Sequence, residues 1–115
     1  YAGNFPGWLA PLQVVILPIT SDQHDSAQQV KAAVRAAGLR CELDGRNETI
    51  GYRIRDAETR KVPFMLIIGE REAGTGRVAL RVHGEGDRGS MPIDDVLEQL
   101  RAACERPELP NGGGR

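Results

Sequence analysis

Gly84-Glu85-Gly86-Asp87-Arg88-Gly89 carries the spacing GxGxxG, which cradles a pyrophosphate when it forms the first turn of a βαβ unit. Only one helix is expected after it, so no later strand can bring the acidic residue that would hold a ribose. Glu85 and Asp87 would also repel a phosphate, and the run reads as a flexible glycine loop. His24 and His83 stand far apart in the chain with no Ser or Cys nucleophile motif beside either, and both read as surface histidines. Cys41 and Cys104 form no CxxC and have no nearby His, so neither a zinc set nor a redox motif is present. They read as small core hydrophobes. No two carboxylates are forced by spacing into a pair that would drive their pKa values apart. Nothing in the residue pattern builds a catalytic centre.

Charge is more informative by position than by sum. The net charge is −1, which announces neither nucleic acid nor membrane. Residues 46–88, however, hold 9 of the 15 basic groups and only 7 of the 16 acidic ones. A stretch like this is commonly a solvated face. Aromatic rings are few: Tyr1, Phe5, Trp8, Tyr52 and Phe64. A protein that holds single strands by stacking uses more of them, so any RNA reading here must rest on hydrogen bonds.

The elements that would position these groups follow from periodicity. Residues 1–12, rich in Pro and Gly, read as a lead-in from a missing preceding domain, packing Phe5, Trp8 and Leu9. Gln13–Ile19 is a continuous apolar, β-branched run, as in a strand covered on both faces. Thr20, Ser21 and Asp22 offer N-caps to a helix with Ala27, Val30, Val34 and Ala37 on one stripe, stopped by Gly38. Leu39–Leu43 alternates as a strand. Asp44–Asn47 is turn chemistry, and Ile50, Ile54 and Ala57 mark a second helix ending near Arg60 or Lys61. Phe64–Ile68 is a buried strand, joined through Gly74-Thr75-Gly76 to an alternating strand over Arg77–Val82. Pro92 suits the first position of a last helix, with Asp94 and Asp95 in its first turn and Ile93, Val96, Leu97, Leu100 and Cys104 as its apolar stripe.

At 115 residues the chain is one domain. It is expected to be α/β, a mixed, mostly parallel sheet with three helices. Four strands are legible. No apolar run approaches a membrane span and no signal peptide is visible, so the expected location is the cytoplasm. Starting with Tyr1, the chain reads as an excised or processed piece.

Four runs are specific. Phe5-Pro-Gly-Trp-Leu-Ala-Pro11, Gly45-Arg-Asn-Glu-Thr-Ile-Gly-Tyr-Arg-Ile-Arg55, Val62-Pro-Phe-Met-Leu-Ile-Ile-Gly69 and Gly89-Ser-Met91 together resemble the C-terminal anticodon-binding domain of bacterial threonyl-tRNA synthetases. The resemblance covers roughly residues 1–106. It implies a five-stranded mixed sheet, anticodon-binding over 13–106 and a flexible tail over 107–115, with a fifth short strand among the first dozen residues or in the tail.

The family's base-reading residues fall on Asn47, Lys61, Glu72 and Arg81. Sequence-specific RNA binding works on unstacked loop bases, and each type suits it. An Arg fork spans two guanine acceptors, a carboxylate accepts from guanine, and an amide both donates to and accepts from uracil. Arg46, Arg60 and Arg77 are the neighbours expected on phosphates. Lys61 stands where the family often has Arg, losing a planar fork, and Thr49 stands where it often has Lys. The implied partners are the anticodon stem-loop of threonine tRNA and a catalytic domain outside this chain. The chain itself should be a non-catalytic monomer without a cofactor, its parent using ATP, Mg and Zn. Two other readings stay open: a free-standing interaction or polymerase accessory module, and a small flavodoxin-like enzyme or nucleotide binder.

Overall fold

The computed structural model describes residues 9–105. The first strand, β1 (Val14–Pro18), is buried at every residue, as its unbroken apolar run requires. Thr20 then caps a 3-10 turn, Ser21–Gln23, through a capping box with Gln23, and α1 (His24–Ala36) follows. After the short strand β2 (Cys41–Leu43), Thr49 caps α2 (Ile50–Thr59) by accepting from the Tyr52 backbone N–H. Then come β3 (Phe64–Ile68), β4 (Arg77–Val82), β5 (Gly86–Pro92) and α3 (Ile93–Cys104).

The sheet order is β2-β1-β3-β4-β5. β1 pairs in parallel with β2 and β3; β4 pairs antiparallel with β3 and β5. The sheet is therefore mixed, with ladders evenly divided between the two kinds, and not mostly parallel as expected. The difference comes from β5. It begins within the glycine-rich run taken for a loop and runs on to Pro92, and neither the first dozen residues nor the tail had to supply it. Its sequence, Gly-Asp-Arg-Gly-Ser-Met-Pro, lacks β-branched residues and is largely exposed. An edge strand needs no apolar alternation when its ladder with β4 satisfies the backbone. The register shifts between Ala79 and Arg81, where β5 carries an extra residue, and Gly89 there has φ 90°, a left-handed conformation common in bulges. Pro92 sits at the N-cap of α3, one place earlier than expected.

The chain moves one way across the sheet through α1 and back through α2. One handedness of crossover then puts these helices on opposite faces. On the first face, α1 and α3 bury Ala27, Val34, Val96, Leu100 and Cys104 against Val14, Ile16, Leu66, Ile68, Val78 and Leu80. On the second, α2 alone covers Val15, Leu17 and Met65 with Ile50, Ile54 and Ala57. Among the described residues no helix follows over β4 and β5 on that side. The lead-in residues 1–8 and the tail from 106 lie outside the described residues. Arg40 nevertheless ties the described end of the lead-in to β2, donating to the Ala10 carbonyl through Nε and Nη2 at 3.1 and 2.7 Å.

Candidate nucleic-acid interface

Alternation along β4 sends Val78 and Leu80 into the first core and Arg77, Ala79 and Arg81 to the other face. Because α2 stops short of β4, no described helix covers that face. Arg81 lies opposite Met65 on β3 and Asp87 on β5. It makes no ion pair or hydrogen bond among the described residues, and its Nε is shielded from solvent with no partner. Such an orphan costs about 1–3 kcal/mol when left unmet.

Lys61 stands at the same end of the β3–β4 pair. It is the residue just beyond α2, with φ 61°, and closes the helix in a Schellman arrangement. Its N–H donates to Glu58 O and that of Val62 to Ala57 O, both at 3.0 Å. Asn47 and Glu72 lie at the other end. Asn47 is exposed in the loop between β2 and α2. Glu72 follows β3 and accepts from the Gly69 N–H at 2.8 Å, pairing with neither Arg71 nor Arg77. From Met65 to Gly69 is about 13 Å at about 3.3 Å per strand residue. The four residues thus form two pairs, one at each end of the strands, and not one closed cleft. The side chains of Asn47, Lys61 and Arg81 have no protein partner among the described residues.

The three arginines expected on phosphates differ. Arg46 reaches Asp44 at 2.8 Å and Asp56 at 2.9 Å, while Arg60 reaches Glu42 at 3.2 Å and Asp56 at 3.4 Å. Two cations face three carboxylates, so this cluster offers a phosphate no net positive charge. Burial would push the Asp44 carboxyl up, but hydrogen bonds and charge from Arg46, with the charge of Arg53, hold it below its ordinary value. Arg77 is exposed and donates to Ser90 O at 2.9 Å, so of the three it alone keeps clear of the carboxylates.

Arg53 is the residue the sequence reading missed. It is 3% exposed and donates to four carbonyls: Pro18 and Asp44 at 2.8 Å, Glu48 and Ile19 at 3.1 Å. It thereby pins the loop carrying Asn47 to the end of β1. The signal was present, since Arg53 falls on the apolar stripe of α2 between Ile50 and Ile54. Cys104 lies in the first core and Cys41 packs against it, its thiol also donating to Lys31 O at 3.8 Å. Burial pushes each thiol above its ordinary value, so both stay protonated at neutral pH. Among the described residues no group of three or more His, Cys, Asp or Glu could hold a metal ion, and no helix is long and apolar enough to cross a membrane.

The sequence profile described as "Anticodon binding domain" matches residues 13–103. This chain belongs to the anticodon-binding domain family. The domain is 53% identical over 98 residues to the threonine–tRNA ligase of Prosthecochloris aestuarii, covering 85% of this chain and 15% of that protein. It is 53% identical over 97 residues to that of Symbiobacterium thermophilum, covering 84% and 15%. The anticodon-binding domain thus spans about 15% of the length of these relatives. Among solved structures, the RNA binding domain of threonyl-tRNA synthetase from Cryptosporidium parvum superposes with a TM-score of 0.82 at 26% identity, covering 89% of this chain and 26% of that one. Prolyl-tRNA synthetase of the same organism shares the fold, with a TM-score of 0.77 at 24% identity over 90% of this chain and 23% of that one.

Proposed function

We propose that this domain reads the anticodon loop of threonine tRNA as part of a threonyl-tRNA synthetase. The observation that carries the reading is Arg81: a cation on the half of the sheet that no described helix covers, with a shielded Nε that nothing among the described residues satisfies. Threonine codons place guanine second and uracil third in the anticodon. Arg81, with Lys61 at the same end of the strands, offers the donor fork that suits the guanine, and Asn47 with Glu72 at the other end offers the donor and acceptors that suit the uracil. The two pairs at opposite ends of the strands fit two successive splayed bases better than one closed pocket would.

Arg77 is the leading phosphate contact. Arg46 and Arg60 reach phosphates only by leaving their carboxylates, and act mainly in holding the Asn47 loop. Ligation, with its ATP, Mg and Zn, belongs to portions of the parent outside this chain, whose catalytic domain is the second partner. The domain works in the cytoplasm and is monomeric by itself.

Fluorescence anisotropy with a labelled threonine anticodon stem-loop and its second-base variant tests this. Arg81→Ala should cost about 1–3 kcal/mol on the cognate loop and relax second-base preference. Arg77→Ala should weaken all loops alike, and Arg46→Ala and Arg60→Ala should weaken them less than Arg77→Ala does. Equal affinity of the unmodified domain for cognate and scrambled loops overturns the proposal and favours a protein-interaction module.

A further inference from the structure

Beyond Arg81 Nε, one other shielded side-chain polar atom among the described residues lacks a partner, Nδ1 of His83. Its ring is half-buried, not the freely solvated surface histidine expected. His83 stands two residues beyond Arg81, so alternation puts both on the open face. Native folds seldom leave such atoms unmet, and each exception calls for an explanation, of which an external partner is one. Two neighbouring orphans on one face call for the same partner.

The backbone of His83 is hydrogen-bonded while its ring is not. Its N–H donates to Pro63 O at 2.9 Å, which places it beside the segment that begins at Lys61. It is followed by Gly84, φ 79°, in a turn closed by the Glu85 N–H on Val82 O at 3.0 Å. His83 therefore stands on the same face as Arg81 and beside the segment that follows α2, its ring with no hydrogen bond of its own among the described residues. In a domain with so few aromatic side chains it is also the one ring borne by the β4–β5 hairpin.

We infer that His83 is a further RNA-contacting residue, its imidazole hydrogen-bonding an acceptor on the nucleotide next to the one that Arg81 takes. The inference rests on the reading of the domain as an anticodon binder. Once the loop docks, both orphans acquire partners in one event, and the two side chains should be energetically coupled.

The test uses the 115-residue chain with the same stem-loops, comparing His83→Ala, His83→Asn, Arg81→Ala and the double variant, with thermal midpoints for each. His83→Ala should weaken the cognate loop about five- to tenfold, as expected for one lost hydrogen bond, at an unchanged thermal midpoint. His83→Asn should recover part of the loss, and the double variant should lose less than the product of the two. Wild-type affinity in His83→Ala overturns the inference. So does a loss that tracks a lowered thermal midpoint and is not recovered by His83→Asn. If the unmodified chain binds cognate and scrambled loops equally, the anticodon reading fails. If it discriminates normally while His83→Ala matches it, only the role of His83 fails.

Discussion

Single residues here divide into those the protein has satisfied and those it has left open. Arg53 is the fully satisfied case. Its guanidinium closes carbonyls from the end of β1 and both sides of the β2–α2 loop, a task no neutral side chain of its size performs. Arg53→Met should leave four carbonyls without that donor and cost about 3 kcal/mol or more, read as a lowered urea midpoint. Arg53→Lys should recover only part, because an ammonium cannot span the same fork. Arg81 is the opposite case, so Arg81→Ala should leave stability nearly unchanged while binding falls. That contrast between two arginines of one sheet-and-helix unit separates scaffold from reader.

At the scale of elements, the end of α2 and the strand β5 both break local rules. A lysine at φ 61° occupies a position that glycine fills most easily. Lys61→Gly should therefore raise stability by up to about 1 kcal/mol, less the entropy that glycine returns to the unfolded chain. If Lys61 contacts RNA, the same variant should bind the stem-loop more weakly, and chemical denaturation beside anisotropy reads both. Retaining a strained residue where a relaxed one would serve is the pattern expected of a functional position. β5 breaks the rule of composition instead. Its Gly, Asp and Pro argue against a strand, yet the hairpin with β4 and the bulge at Gly89 bring it into register. Without β5, the open face holding Arg77 and Arg81 would end in an unpaired edge.

For the molecule as a whole, three helices on two faces is an uneven cover. α1 and α3 close one side, whereas among the described residues α2 closes only the part of the other over β1 and β3, and the remainder is the surface proposed for RNA. With a net charge of −1, the domain has no overall field to draw RNA, and the proposed binding rests on local placement of cations. The carboxylate cluster has a further consequence for the fold. Asp44 lies 4% exposed against Arg46 and below its ordinary pKa of 3.8, so the stabilisation it contributes is complete above that value. It is lost as pH falls through the lower folded value. Acid unfolding should show this as a steep fall in stability below about pH 4, made shallower by Asp44→Asn.

The amino-acid sequence alone determined the helices, the buried strands β1 and β3, the β3–β4 hairpin and the family, because apolar periodicity and capping are local and four motif runs were long enough to be specific. It also placed Asn47, Lys61, Glu72 and Arg81 on separate segments. Only the tertiary structure decided that β5 is a strand, since an exposed edge takes its conformation from its partner and not from its composition. Only the tertiary structure decided which arginines are spoken for: Arg46 and Arg60 by Asp44, Asp56 and Glu42, and Arg53 by backbone carbonyls. The same charge reads identically in a string of letters whether it faces a carboxylate, a carbonyl or nothing, and which of these it meets depends on contacts between segments far apart in the chain.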